Sequence, residues 1–502
     1  MAIVHLSLLI GFFIIITLSL NLLRRTSQTN HGPPTYPLIG CLLSFHQNRR
    51  RLLDWYTELL AASPSHTISI RRLGARRTVV TANPENVEHV LKTNFDNYPK
   101  GKPFTDLLGD LLGRGIFNSD ADLWRSQRKL ASHEFSTRAV KDFVARTLES
   151  EARERLVPVL AACADEGTDL DMQDALRRFA FDTICRVSLG FDPACLGPSM
   201  PESRLARAFD GASNVSARRA TEPVQAVWRL KRALRVGSER ALRRDVRVVH
   251  ESVAELIRAR KEEKAGGFER EDLLSRLISA GGHDEEAIRD ATINMIMAGR
   301  DTTSAALTWF FFLLARNPDA EARVVEEAMA AKEGRVDYEA LKEMRFLEAC
   351  LCESMRLYPP VPWDSKHAVE GDVLPDGTEV RKGDRVTYFA YGMGRMEGLW
   401  GKDCREFRPE RWMDGGVSAY KWPVFQAGPR VCLGREMAMA EMKCVAVEVL
   451  RGFEVRPAEE GVEPVFVPLL TAHMKGGFKV RVRRRSSVGR VMKNTENSCL
   501  KK

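Results

Sequence analysis

Cys432 is the residue whose neighbours best suit chemistry. It stands in Phe425-Gln426-Ala427-Gly428-Pro429-Arg430-Val431-Cys432-Leu433-Gly434, where Gly428 and Gly434 allow turns that bulkier residues resist and Arg430 sets a permanent cation two positions away. From Arg435 on, the chain is rich in helix formers, so Cys432 falls just before a helix whose positive N-terminal end lowers a thiol's pKa. A thiolate on a loop that can approach a flat cofactor closely is suited to ligating a metal. The competing reading is a buried, inert cysteine in a glycine turn, since free cysteine is among the most buried residue types. Spacing argues against it. The pattern Phe-x-x-Gly-x-Arg-x-Cys-x-Gly fixes five positions, and at a flat usage of about one in twenty each it arises by chance in roughly one in several thousand chains of this length.

Other residues suited to chemistry sit on helical patterns. Asp301 and Thr302, in Ala298-Gly299-Arg300-Asp301-Thr302-Thr303, can hydrogen-bond and relay protons. Thr302 can also bond back to the Ala298 carbonyl and, with Gly299, is expected to bend the helix and open a groove; the bland alternative is a polar stripe facing solvent. Trp124 and Arg128 share a helix face at i, i+4, which alone reads as a core tryptophan beside a surface arginine. Glu353 and Arg356 pair a carboxylate with a guanidinium at i, i+3, which alone reads as a surface salt bridge.

The elements that must position these groups are mostly helices. A long, largely apolar helix from about Glu285 to Arg316 carries Asp301 and Thr302, bounded by Gly281-Gly282 and Asn317-Pro318. It is no membrane span, because Arg300 and Asp301 interrupt it. A helix from about Tyr338 to Leu357 carries Glu353 and Arg356 and ends at Tyr358-Pro359-Pro360. Strands are expected at Thr67 to Arg71 and Thr78 to Thr81, a helix start at Pro84 after Asn83, and a hairpin turn through Val373 to Thr378.

The 502 residues, 44% apolar and 28% charged, can bury a large core, and no internal linker divides them. Ten cysteines without a Cys-x-x-Cys pair suggest neither a disulfide framework nor a zinc site, and fit a reducing compartment. The net charge of +9 comes without a compact basic motif alternating with aromatics, which argues against a nucleic-acid partner and for an anionic membrane face or an acidic protein. Residues 1–23 read as a membrane anchor: the apolar run from Ala2 to Leu23 would span roughly 33 Å as a helix, with no charged segment before it and no small-residue cleavage site after it. Arg24 and Arg25 then place the rest in the cytosol by the positive-inside rule. Residues 24–40 read as a proline-rich linker, 41–484 as the catalytic domain and 485–502 as a disordered basic tail. The basic stretch from Arg218 to Arg247 around Trp228 reads as a solvated helix face, or alternatively as a surface on anionic headgroups with Trp228 at the interface.

The Cys432 loop resembles the haem-binding loop of the cytochrome P-450 family. Trp124 to Arg128, Ala298 to Thr303, Glu353 to Arg356, Pro409 to Trp412 and Phe425 to Gly434 occur in that family's order, and the resemblance runs from Pro33 to Arg483. It implies a mostly α fold with a small β portion and an N-terminal transmembrane helix, binding haem b between the Asp301 helix and the Cys432 loop. Cys432 would be the iron's thiolate ligand. Arg430, Trp124 and Arg128 would meet the haem propionates, Phe425 would pack beside the sulfur, and Gly434 belongs to the same loop. Glu353, Arg356 and Arg411 would form a buried ion network bracing it. The implied reaction uses O₂ and electrons from an NADPH-dependent reductase, with Asp301 and Thr302 delivering protons, in an enzyme of the endoplasmic reticulum membrane.

A finer resemblance rests on Gly115-Ile116-Phe117-Asn118, Gln127 to Ser132, Trp363-Asp364-Ser365-Lys366 and Tyr391 to Met396. These are similar to plant fatty-acid ω-hydroxylases, in particular the subgroup oxidising jasmonoyl-isoleucine. They imply an amphipathic carboxylate substrate, for which Phe104, Leu107, Phe117, Met297, Val361 and Leu470 are suited to line an elongated apolar passage. A general fatty-acid ω-hydroxylase is the alternative, and a haem-free, membrane-anchored helical interaction protein is the rival from another class. The chain departs from its relatives at Ser119-Asp120-Ala121-Asp122 and at Lys366, where many have a propionate-binding arginine; the roles of Lys366 and His367 stay open.

Overall fold

The computed structural model describes residues 11–13, 15–17, 32–36, 39–72, 75–136, 138–197, 199–222, 225–268, 270–280, 284–330, 338–459, 461 and 463–485. Most of the expected anchor, Arg24 and Arg25, and the tail from residue 486 lie outside these. Among the described residues no helix is long and apolar enough to cross a membrane.

In chain order the elements that matter for the site begin with β1 (Thr67–Ile70) and β2 (Thr78–Thr81), followed by α1 (Gly101–Leu112), α2 (Ala121–Ser136) and α3 (Met172–Leu189). Then come α4 (Arg204–Thr221), α5 (Gln225–Leu234), α6 (Gly237–Ala265), α7 (Glu285–Ala315), α8 (Tyr338–Glu343) and α9 (Arg345–Leu357). The last are β3 (Asp364–His367), β4 (Arg385–Tyr388) and α10 (Arg435–Gly452). A four-stranded sheet runs β1-β2-β4-β3, antiparallel except where β2 and β4 pair in parallel. The expected turn after Val373 joins the two-residue strands Asp372–Val373 and Glu379–Val380.

The 31-residue α7 starts at a local signal, the Asp284 carboxylate accepting the Ala287 N–H at 2.6 Å. Its first half, through Ile293, Ile296 and Met297, packs into a core shared with α1, α3, α4 and α6. Its second half, Ala306 to Leu314, enters a larger core with α9 and α10. Asp301 and Thr302 fall between the two. The Thr302 hydroxyl donates to the Ala298 carbonyl at 2.6 Å, as expected. Gly299 has a different role from the one expected. The helix is continuous through it, and a Cβ there would lie 2.5 Å from Ile184 of α3, so the glycine admits a neighbouring helix instead of opening a groove on that side.

Three other expectations are corrected. The helix expected from Tyr338 to Leu357 is two helices, because Met344 (φ −76, ψ 78) breaks it and the Glu327 carboxylate accepts the Phe346 and Leu347 N–H groups, which starts α9 afresh. Trp228 does not stand at an interface: it is 4% exposed, its Nε1 donates to Gln225, and the buried Arg219 guanidinium lies 4.9 Å over its ring. Arg219 is therefore no part of a solvated face, since it pairs with the buried Glu239 and with Asp110. Arg485, expected to open the tail, is held in the fold, where it donates to the Leu450 carbonyl and pairs with Glu321.

Candidate active site

The Cys432 loop closes on itself, the Cys432 N–H donating to the Phe425 carbonyl at 2.8 Å. Gly428 (φ +64) is required there, since a Cβ would lie 2.0 Å from the Leu91 carbonyl oxygen. Gln426 adopts φ 62, ψ −178, a backbone region costing a non-glycine residue about 1–3 kcal/mol, so its neighbours must hold it. They do so through Tyr388, whose hydroxyl donates to the Gln426 side-chain oxygen, and through Asp364, 3.4 Å from its amide nitrogen.

Asp364 is the hub of a buried cluster. Lys100 reaches both its oxygens at 2.8 Å, and Lys366 and the Tyr388 hydroxyl each reach one at 2.8 Å. Burial alone would raise this carboxyl, but Lys100 and Lys366 hold it well below the usual range. Burial pushes Lys366 down to about 7 against the pull of Asp364, and pushes His367, whose Nδ1 lies 2.5 Å from the Lys100 carbonyl, down to about 4. Neither Asp364, Tyr388 nor Gln426 stands out in the sequence as a site residue. The only sequence signal for Asp364 and Gln426 is membership of the Trp363 to Lys366 and Phe425 to Gly434 motifs, and Tyr388 lies in neither.

The Cys432 side chain is accessible to solvent yet set deep among protein atoms. Burial is accordingly the strongest influence on its thiol and pushes it up, outweighing the Gly434 N–H, Arg128 and Arg435. This corrects the expectation of a lowered pKa: the helix start is present, but desolvation wins. A bound metal cation reverses that balance, because a coordinating thiol is deprotonated outright.

The Cys432 loop brings Arg430 against Trp124, with Arg128 within charge range of the sulfur. The Arg430 guanidinium lies 4.4 Å over the Trp124 ring and donates to Asp120 at 2.7 Å and the Ser119 carbonyl at 3.0 Å, while its Nε is buried without a partner. Arg128 is close enough to Cys432 for their charges to interact and has no hydrogen bond or ion pair among the described residues. Phe425 packs against Trp422 and under the Arg435 guanidinium. A Cβ at Gly434 would meet no atom within 4 Å. One accessible thiol, one orphaned guanidinium nitrogen and one unpaired arginine match an iron porphyrin bearing carboxylates, so these residues fit haem.

On the α7 side, Arg300 is buried, paired with Asp210 at 2.7 Å and 3.7 Å from Asp301. One Asp301 oxygen is buried without a hydrogen-bond partner, and Thr302 is half-buried beside it. Phe104, Leu107, Met297 and Leu470 join one apolar cluster with Ile293 and Ile296, and Met437, five residues after Cys432, packs against it too. The structure does not bring Phe117 or Val361 into that cluster; Phe117 is 38% exposed and Val361 half-buried.

Glu353, Arg356 and Arg411 meet. Arg356 donates to both Glu353 oxygens at 2.7 Å, with both side chains fully buried, and Arg411 lies 3.4 Å from Glu353. Arg356 also donates to the Gly394, Cys404 and Glu406 carbonyls, and the Trp412 Nε1 and Arg408 N–H donate to Glu353. The segments 394–412 are thus tied to α9.

Glu441 of α10 is buried, with one oxygen unpartnered, and burial alone pushes it up to about 8. The folded chain therefore keeps a proton that the unfolded chain releases from about pH 4.5 upward. That contribution to stability is complete below about pH 4.5 and is lost as pH rises toward 8, by up to ~1.4 kcal/mol per pH unit. Glu441→Gln is expected to gain on the parent progressively as pH rises. Thermal midpoints of both proteins from pH 5 to 8 check this, and a constant difference would refute it.

The cytochrome P450 family model matches residues 31–480. Cytochrome P450 94B1 of Arabidopsis thaliana is 55% identical over 491 residues, covering 95% of this chain and 96% of its own length. Cytochrome P450 94B3 of the same plant is 57% identical over 474 residues, covering 92% and 93%. A crystal structure of the cytochrome P450DA haem domain superposes with a TM-score of 0.76 at 22% identity, covering 91% of this chain and 97% of that one, and shows the same fold.

Proposed function

The chain belongs to the cytochrome P450 family, and from that membership we propose that it hydroxylates the ω end of jasmonoyl-L-isoleucine. Enzymes of this family are monooxygenases that bind haem through a cysteine thiolate and use O₂ with a redox partner, which sets aside a haem-free interaction protein. The reaction balances as R–H + O₂ + 2 electrons + 2 protons giving R–OH and water. Thiolate-ligated haem supplies the oxygen activation when bound. In this reading Cys432 is its ligand, Arg430, Arg128 and Trp124 hold its carboxylates, and Phe425 and Gly434 shape the sulfur side. The electrons come from an NADPH-dependent reductase, and a single-pass anchor holds the enzyme in the endoplasmic reticulum membrane with its catalytic domain cytosolic. If the basic region rests on that membrane, Leu230 and Leu234 of α5, 61% and 62% exposed, are the side chains that meet lipid, in place of Trp228.

The observation that carries the substrate reading is the apolar cluster of Phe104, Leu107, Met297 and Leu470 extending to Met437 beside the Cys432 loop. Such a wall suits the tail of an amphipathic carboxylate. It suits a long-chain fatty acid as well, which keeps general fatty-acid ω-hydroxylation as the second reading. Equal jasmonoyl-isoleucine and lauric acid in one assay decide between them, with preferential turnover of the hormone conjugate expected. Preference for lauric acid would move the assignment to the second reading.

In this reading the Thr302 hydroxyl and the Asp301 oxygen that lacks a hydrogen bond hold and pass on the two protons the reaction consumes. Thr302→Ala is expected to keep haem and substrate binding while raising several-fold the NADPH consumed per product formed. An unchanged ratio would count against the relay.

A further inference from the structure

The turn from Gly113 to Phe117 is held by two side chains of α7. The buried Asp290 carboxylate accepts the Arg114 N–H at 2.8 Å, and the buried Asn294 side-chain oxygen accepts the Phe117 N–H at 3.1 Å. The Asn294 amide nitrogen donates to the Leu112 carbonyl at 2.9 Å and the Asp290 carbonyl at 2.7 Å, so its hydrogen-bonding capacity is spent on backbone. Both glycines of the turn are there because these side chains press against them. A Cβ on Gly113 (φ +55) or Gly115 would lie 2.0 Å from Asp290 or Asn294 respectively. Farther along, Ser119 and Asp120 bind Arg430, so one short loop is anchored to α7 at one end and to the Cys432 loop at the other.

We infer that Asn294 and Asp290 are positioning residues for the hydroxylation, fixing the turn that carries Phe117 and so which carbon of the substrate is oxidised. The inference rests on the reading above and on the sequence expectation that Phe117, which is 38% exposed, lines the passage of an ω-hydroxylase. A terminal methyl C–H bond is stronger than the C–H bonds of the neighbouring methylenes, so a chain free to shift by one or two carbons reacts in-chain. Oxidising the terminus requires a wall that does not yield. Phe117 is 38% exposed and outside the apolar cluster, so its ring is not enclosed in the core. Its backbone is what is held, and Asn294 holds it.

The test uses the full chain with haem, a plant NADPH-dependent reductase, and lauric acid and jasmonoyl-isoleucine as substrates, with terminal and in-chain products separated by mass spectrometry. Asn294→Ala is expected to retain the carbon monoxide band and raise the in-chain fraction several-fold. Asn294→Asp keeps the oxygen that accepts the Phe117 N–H and is expected to fall between parent and alanine variant; it also serves should the alanine variant fail to bind haem. Hydrogen exchange of the Arg114 and Phe117 amides is expected to quicken in the same order. An unchanged product ratio in both variants overturns the inference. A parent that oxidises neither substrate defeats the substrate reading instead, and unchanged amide exchange in the variants then overturns the clamp.

Discussion

Cys432→Ser and Cys432→His are expected to abolish the red-shifted Soret band of the dithionite-reduced, carbon monoxide-treated protein and to reduce hydroxylation to background. The sulfur is the one soft donor on the loop, and a thiolate pushes electron density onto iron in a way that imidazole and hydroxyl do not. The loop itself should survive the change. Its closure at this position uses the Cys432 backbone N–H, and its conformation rests on Gly428 and on the bonds Gln426 accepts from Tyr388 and donates to Asp364, none of which involves the sulfur. Loss of activity in a folded variant therefore reports on ligation. Hydroxylation retained by either variant would contradict the assignment of Cys432.

Arg356→Ala should be the most destructive change away from the sulfur. Removing this guanidinium leaves Glu353 buried without its main counter-charge and strips donors from the carbonyls of Gly394, Cys404 and Glu406. Breaking one partner of a buried pair costs roughly 3–5 kcal/mol, a large share of a typical net stability of about 5–15 kcal/mol. The expected result is a thermal midpoint lowered by many degrees and a small fraction of haem-loaded protein. Replacing Glu353 with leucine and Arg356 with methionine together should cost less than the two single changes summed, since no charge is then left buried alone. Calorimetry on the four proteins of that cycle measures the coupling. A parent-like midpoint for Arg356→Ala, or strict additivity, would show that the pair does not brace the fold.

The chemistry of the site and the elements carrying it were legible in the sequence wherever the determinant is local. The spacing around Cys432 is a property of ten consecutive residues. The helix from Glu285 is marked by Gly281-Gly282 before it and by Asn317-Pro318 beyond its end, and the Glu353–Arg356 pair follows from helical spacing. Thr78–Thr81 and the turn after Val373 likewise depend on a few adjacent residues.

What tertiary structure alone decided depends on atoms brought together from distant parts of the chain. Asp364 is one motif carboxylate among many until Lys100, 264 positions away, and Gln426, 62 positions away, close on it. Asp290 and Asn294 read as polar residues on a helix until the turn at Gly113 and Gly115 packs on them. Burial decided the rest. It places Trp228 inside instead of at an interface, raises the Cys432 thiol that a helix end alone would lower, and makes Glu441 a proton holder. The physical reason is common to all of these: sequence specifies which groups an element offers, whereas desolvation and hydrogen-bond partnership depend on what packs against it.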